Sequence, residues 1–259
     1  MIKLIHVTDP HLTVPGTDLF GLDPHERLDA CLSHIGAQHG DADLLVISGD
    51  LTHDGEPPAY EALARRLEQT SVPWRVLMGN HDDRSAFFAA FPNYTVRRGF
   101  VQEVVEVGAT RVILLDTLQD GRTEGELCPE RGEWLDRALV EAGERPVFIF
   151  MHHPPFAIHL PALDRIGLGL SEAFHARLKR HGNVRHIFAG HVHRQTSGSW
   201  RGIGFNTLSG TSHQAAAIFN EDRFGTTLEP AAYGVILIDQ DNVVVHTVHF
   251  LHDAEAIRS

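Results

Sequence analysis

The sequence predicts an α/β protein, an αββα sandwich of two packed sheets with flanking helices. Three observations carry that expectation. Over the first two-thirds of the chain, short apolar runs alternate with segments of helical periodicity, the mark of βαβ units. From about residue 196 the pattern turns β-rich, with Gly, Asp and Asn at the breaks. No linker rich in Pro, Gly or Ser and no internal repeat interrupts the 259 residues, so 1–259 reads as a single domain.

The apolar runs, in order, are LIHV (4–7), LLVI (44–47), WRVLM (74–78), VFIFM (147–151) and HIFA (186–189). Between them, 24–38, 57–69 and 130–142 place apolar residues three and four apart, as an amphipathic helix requires. Two of these segments open with proline or follow it closely, where its fixed φ suits a first helical turn. A shorter helix is expected over 83–91. Segments 101–107 and 110–116 read as a hairpin across GAT. Further strands are expected at 196–200, 203–208, 212–219, 232–238 and 243–250. This β-rich segment, 196–250, is expected to complete the second sheet. An exposed hairpin among 196–219 suits a dimer interface.

Composition narrows the function classes. The chain is 42% hydrophobic and 22% charged, an ordinary globular balance. A net charge of −12 argues against a protein that grips long nucleic acid, which needs a basic face. A small anionic substrate stays compatible, since a bound metal inverts the local field. The start, MIKLIHVTD, lacks a signal-peptide h-region. No run approaches the roughly 20 apolar residues of a membrane-spanning helix. Cys31 and Cys128 form no CxxC pair, which suits a reducing cytoplasm, with a single bridge between them left open. A cytoplasmic location without a membrane partner is therefore expected. Histidine, at 19 residues, is the unusual count. It raises the odds of metal binding and of chance two-histidine motifs alike, so spacing has to carry the argument.

Each of the five apolar runs is followed at once by metal-binding residue types. Asp9 and His11 follow the first, Asp50 the second, and Asn80 with His81 the third. His152 and His153 follow the fourth, His191 and His193 the fifth. In an open α/β sheet, ligands bind at the carboxyl ends of the strands. If the five strands share one sheet, these residues share one rim. Residues two apart in an extended segment point the same way, so Asp9 with His11, and His191 with His193, are expected to converge. Gly49, Gly79 and Gly190 each precede one of these residues, permitting φ > 0 or a close backbone approach. Each piece alone has a plain reading: an Asx turn at DPH, a turn at SGD, a strand halted by prolines at HHPP. In GNHDD, Asp82 or Asp83 is expected to cap the helix that follows. Five such coincidences in order behind five strands are not expected by chance.

Taken together, DPH, GD, GNHD, the His of MHHPP, and GHVH resemble the ordered motifs of the calcineurin-like metallophosphoesterases, with no ligand position substituted across residues 9–193. GNHDD, MHHPP and the overall length look like the branch of class III cyclic nucleotide phosphodiesterases and bacterial glycerophosphodiesterases. The resemblance implies an αββα metallophosphoesterase sandwich with two divalent or transition metal ions, chosen among Fe, Mn, Zn and Co. One ion would take Asp9, His11, Asp50 and His193, the other Asp50, Asn80, His152 and His191, with Asp50 bridging. Mixed nitrogen and oxygen donors suit such ions better than soft-metal thiolate sites do. The implied reaction is hydrolysis of small phosphodiesters, cyclic nucleotides or glycerophosphodiesters, by in-line attack of a metal-bound hydroxide.

Beside the ligand Asn80, His81 is the candidate general acid for the leaving group. Candidate substrate contacts are Asn80, His81, His53 and His193. His153 reads as structural, while His159 and His213 stay open between substrate contact and packing. The rim loops 12–23, 154–170 and 213–230 are expected to decide the substrate, with Phe20, Phe156 and Leu160 either covering it or packing. The expected partners are a small phosphodiester and further copies of the chain, as a dimer or higher oligomer, without long nucleic acid. A phosphomonoesterase is the main alternative. A nuclease, or a scaffold that has lost catalysis, fits less well.

Overall fold

The structure, a computed structural model, describes residues 1–94, 99–169 and 171–251; Leu170, which ends the 154–170 rim loop, lies outside them. The first half runs β1 (Ile2–Val7), α1 (Pro24–His39), β2 (Leu44–Ser48), α2 (Pro57–Glu68), β3 (Trp74–Leu77) and α3 (Arg84–Ala90). Next come β4 (Glu103–Val107), β5 (Thr110–Leu115), α4 (Pro129–Ala142), β6 (Val147–Met151), α5 (Pro161–Asp164), α6 (Ser171–His181) and β7 (Val184–Ala189). The last part is all strand: β8 (Thr196–Trp200), β9 (Ile203–Thr207), β10 (Gln214–Ala215), β11 (Thr226–Thr227), β12 (Tyr233–Ile238) and β13 (Val243–Val248).

Helix starts follow local chemistry. Pro24, Pro57 and Pro129 occupy first-turn positions of α1, α2 and α4. Asp23 accepts from His25 N at 2.7 Å. Asp83 accepts from Ala86 N at 2.8 Å and caps α3, so it is the second aspartate of GNHDD that takes this job.

Two main sheets form. The five-stranded sheet has the order β13-β12-β1-β2-β3, and the six-stranded sheet β4-β5-β6-β7-β9-β8. β1, β2 and β3 are parallel, as are β5, β6, β7 and β9. A βαβ crossover requires that arrangement. Between the sheets, Leu4, Leu44, Val46, Leu77 and Ile236 pack on Val112, Leu114, Phe148, Phe150 and Phe188. The alternate residues Ile5, Leu45, Ile47 and Val76 face the helices α1, α2 and α3. On the far side, Ile113, Ile149, Met151 and Ile187 cluster with Leu135 and Leu139 of α4 and Phe174 and Leu178 of α6. Strands buried on both faces read as continuous apolar runs. Each such side chain contributes about 1.5–3 kcal/mol on full burial.

The C-terminal expectation needs correcting. Segment 196–250 does not complete one sheet. β8 and β9 extend the six-stranded sheet, whereas β12 and β13 join the five-stranded sheet through Ile2↔Ile238 pairing. The strand expected at 212–219 shrinks to β10, which pairs only with β11 as a separate ribbon. Helix α6 escapes the periodicity argument because just Phe174 and Leu178 of its eleven residues are buried.

One buried ion cluster joins the two halves. Asp116, at the end of β5, takes Arg84 Nη1 of α3 at 2.6 Å and Arg131 Nη1 of α4 at 3.3 Å. Asp116 is 0% exposed and Arg131 1%. Charges taken that far out of water hold only when paired and hydrogen-bonded.

Candidate metal centre

The five polar exits do converge, but not at the rim of one sheet. β1, β2 and β3 belong to the five-stranded sheet, β6 and β7 to the six-stranded one. The site therefore lies across the carboxyl ends of both sheets. Strand-like pairing continues past β1 and β2: His11 N donates to Asp50 O at 2.9 Å, and His53 N to Leu12 O at 2.9 Å. Asp82 then ties the third exit to the second. It accepts from Gly79 N, Leu51 N, Thr52 N and the Tyr60 hydroxyl at 2.8–3.1 Å.

The mode of convergence differs from expectation. Asp9, His11, Asp50, His191 and His193 all have positive φ, between 43° and 71°. Strand alternation does not aim them; left-handed turns do. Such a conformation costs a non-glycine residue roughly 1–2 kcal/mol, and clusters of this strain mark functional sites. The preceding glycines act partly otherwise than by φ. Gly49 has φ +98°, but Gly79 and Gly190 answer to close approach. A Cβ on Gly79 would lie 2.2 Å from Asp50 Oδ1 and 2.6 Å from His152 Nε2; one on Gly190 would lie 2.1 Å from Thr8 Oγ1.

The donor atoms of Asp9, His11, Asp50 and His193 all lie within 4.8 Å of one another. His11 Nε2 is 2.9 Å from His193 Nε2 and 3.4 Å from Asp50 Oδ2, and His193 Nε2 is 3.3 Å from Asp9 Oδ1. On the other side of Asp50, its Oδ2 is 3.3 Å from His152 Nε2, which lies 3.2 Å from Asn80 Oδ1. His191 adds a ring 5.1 Å from that of His152. Its Nε2 is buried without a hydrogen-bond partner among the described residues.

The tautomers follow from the carbonyls behind the rings. His152 Nδ1 faces Ser48 O at 2.8 Å and His193 Nδ1 faces His213 O at 2.9 Å. A ring nitrogen facing a carbonyl carries the proton, so in the neutral ring each Nε2 presents a lone pair to the centre. Lone pairs and carboxylates crowded together, plus the orphan His191 Nε2, form a donor set that fits cations.

The electrostatics agree. Burial raises Asp9. Burial would also raise Asp50, but the charge and hydrogen bond of His152, with His11 and His81, hold it well below the usual carboxylate range. Burial would lower His152, yet Asp50 outweighs it and lifts the imidazole to about 9. Burial, then His152, pushes His191 down to about 3, which keeps it neutral. The charge favoured beside Asp50 is a second proton on the His152 ring, at Nε2 facing Asp50; a bound cation would take its place and free the lone pair, while His191 stays a neutral donor beside it.

Behind Asp9 runs a relay that the sequence analysis missed. His6 Nε2 meets Ser48 Oγ at 2.7 Å, Ser48 donates to Thr8 Oγ1 at 2.9 Å, and Thr8 donates to Asp9 Oδ2 at 2.6 Å. Its trace in the sequence is the hydroxyl that opens TDPH (8–11) and the one that opens SGD (48–50).

His81 sits at the edge of the centre. Its main-chain N donates to Asp50 Oδ1 at 2.9 Å, and its ring lies 4.7 Å from that of His11. The His53 ring stacks on His81 at 5.1 Å, and the His213 ring lies 4.5 Å from that of His193. A cleft of about 240 Å³ opens here, lined by Asn80, His81, His193, His213, Gln214 and Phe224 among others. Phe20, 54% exposed, meets His213 edge-on at 4.8 Å. Phe156 and Leu160 instead are core residues, Phe156 stacking on Phe205 at 4.0 Å. His153 is buried against Thr117 Oγ1 at 2.8 Å and lies 4.7 Å, ring to ring, from His191. His159 is exposed and does not line this cleft. Phe224 and Thr226 fall in the expected rim loop 213–230 but carry no motif of their own, and β11, two residues long, has no period to read.

A cleft of this size beside a His/Asp/Asn donor set on an αββα frame defines a metal-dependent phosphoester hydrolase. The pattern of the calcineurin-like phosphoesterases matches residues 2–195, and this chain belongs to that family of hydrolases, built around a dinuclear metal centre. A probable cyclic nucleotide phosphodiesterase of Rhodopseudomonas palustris is 38% identical over 257 residues, covering 97% of this chain and 94% of the relative. A probable glycerophosphodiester phosphodiesterase of Arcobacter nitrofigilis is 29% identical, covering 85% and 82%. Among solved structures, a dimetal phosphatase from Danio rerio shares the fold, with a TM-score of 0.71 at 16% identity and 96% of each chain covered.

Proposed function

We propose that this chain hydrolyses small phosphodiesters, cyclic nucleotides or glycerophosphodiesters, with Asp9, His11, Asp50 and His193 holding one cation and Asp50, Asn80, His152 and His191 a second. The observation that carries this reading is the position of Asp50. Its Oδ2 lies within 3.4 Å of both His11 Nε2 and His152 Nε2, at the junction of the two donor groups. Bound there, two divalent cations supply Lewis-acid charge and an activated water for in-line displacement. Fe, Mn, Zn and Co all suit mixed nitrogen and oxygen donors.

The chain's own residues do the rest. Asn80 and His193 line the cleft beside the donors and bear on the phosphoryl group. His81 donates a proton to the leaving oxygen. Its Nδ1–H is held by His53 O at 2.7 Å, so Nε2 is the atom that faces substrate. His213, Gln214 and Phe224 border the space where the alcohol or base moiety lies. The names of the relatives support diesters over monoesters. The shared layer between the sheets supports one working domain over 1–259. β8, an open edge strand of mostly exposed residues, is the surface offered for a homodimer. Among the described residues no helix is long and apolar enough to cross a membrane; the free thiols of Cys31 and Cys128 are what supports a reducing, cytoplasmic location.

The test pairs metal analysis with hydrolysis of bis(p-nitrophenyl) phosphate and p-nitrophenyl phosphate in added Mn²⁺. Two equivalents of transition metal and faster diester than monoester turnover are expected. No bound metal, or turnover confined to the monoester, overturns the proposal.

A further inference from the structure

The ring nitrogens that face away from the centre are held in two different ways. His152, His193 and His81 each present Nδ1 to a main-chain carbonyl, of Ser48, His213 and His53. His11 does not. Its Nε2 faces Asp50 and His193, and its Nδ1 meets another imidazole, His53 Nδ1, at 3.2 Å.

That contact settles the proton positions once His11 Nε2 is a ligand atom. His11 then carries its proton on Nδ1 and donates it, so His53 Nδ1 accepts and His53 Nε2 bears the remaining proton. His53 is itself well fixed. Its N donates to Leu12 O at 2.9 Å, next to His11, and the bridge Leu12↔Thr52 holds the two loops in register. Its ring stacks on His81 at an interplanar angle of 19°, and its carbonyl takes the His81 Nδ1–H.

We infer that His53 is a positioning residue for both halves of the chemistry: its side chain fixes the tautomer and orientation of His11 toward the metal, and its main-chain carbonyl aims His81 at the leaving group. This rests on the ligand reading of His11 proposed above. It also reassigns His53, which the sequence places among the substrate contacts. The side-chain arm is open to substitution, because His11 alone relies on a replaceable acceptor. The carbonyl arm survives any change of side chain.

Two variants separate the acceptor from the ring. His53→Asn keeps an acceptor oxygen near the place of Nδ1, whereas His53→Phe keeps the ring and removes the acceptor. Mn²⁺ binding to the full chain is measured by titration calorimetry, with Co²⁺ absorption reporting the ligand geometry, and thermal melting of the apo proteins checks folding. His53→Phe should weaken the tighter or weaker of the two sites, the same one that His11→Ala removes, by about 10–100-fold and shift its Co²⁺ bands. His53→Asn should restore affinity to within about threefold of the original protein. Unchanged affinity and spectrum in His53→Phe, or equal losses in Phe and Asn, overturn the positioning role. If the original protein binds two equivalents but His11→Ala removes neither, the ligand reading itself fails, and this inference with it.

Discussion

His152 Nε2 lies 3.3 Å from Asp50 Oδ2, although the two side chains arrive from different sheets. The centre is thus a seam. Asp50 belongs to the loop after β2, and His152 to the loop after β6, whose strands meet only across the layer of Phe148, Phe150 and Phe188. Any perturbation of Asp50 is felt on both sides.

Asp50→Asn is therefore expected to lower metal content from two equivalents to at most one and to abolish turnover. The loss should exceed the roughly 100-fold that changes outside the ligand shell typically cost. Plasma emission spectroscopy of the dialysed protein, beside diester hydrolysis, checks both. A variant retaining two equivalents would show that Asp50 does not bridge.

His81→Ala should behave in the opposite way. Among the described residues its ring donates to His53 O and to none of the cluster's carboxylates, and the His81 N to Asp50 contact is main chain. Metal content should stay at two while kcat falls by about 10²–10⁴-fold. The fall should be smallest for p-nitrophenolate, which leaves without a proton, and largest for an alkoxide. An equal fall across leaving groups counts against proton donation.

Acid should destabilise the fold through His6. Burial lowers this imidazole from 6.5 to about 3, so the unfolded chain binds the proton more readily than the folded one. Its stabilising contribution is whole above about pH 6.5 and is lost as pH falls toward 3. At pH 4 the loss amounts to about 3 kcal/mol. Urea denaturation of the chelator-treated protein at pH 7 and pH 4 measures it. His6→Gln, which cannot titrate, should lose correspondingly less between the two pH values.

Asp116→Ala should destabilise by about 3–5 kcal/mol, because Arg131 then keeps its buried charge with, among the described residues, only the partly exposed Glu126 as a carboxylate partner. Denaturant unfolding reads the change directly. A shift below about 1 kcal/mol would mean that Arg84 and Arg131 find other compensation.

Much of the molecule is legible from local sequence. Strand and helix periods, the proline starts of α1, α2 and α4, and Asp83 as a cap are properties of a few consecutive residues. So is the order in which Asp9, His11, Asp50, Asn80, His81, His152, His191 and His193 follow their strands. Hydrophobic burial and backbone hydrogen bonding act on such short windows in the same way wherever they occur, which is why the motif set alone points to a metallophosphoesterase.

Tertiary structure decided what depends on distant partners. Ile2 pairs with Ile238, and that choice splits the C-terminal strands between two sheets, while the separate pairing of β1, β2 and β3 and of β6 and β7 puts the donor set on a seam instead of one rim. Left-handed φ at five donor positions replaces the alternation that an extended strand predicts, since surrounding contacts outweigh local preference there. Phe156 and Phe20 look alike in sequence, yet one is core and the other borders the cleft histidines. His53 gains its place from a ring 42 residues away. The residue types suited to bind cations were set along the chain, but which atoms face one another was set by packing two sheets together.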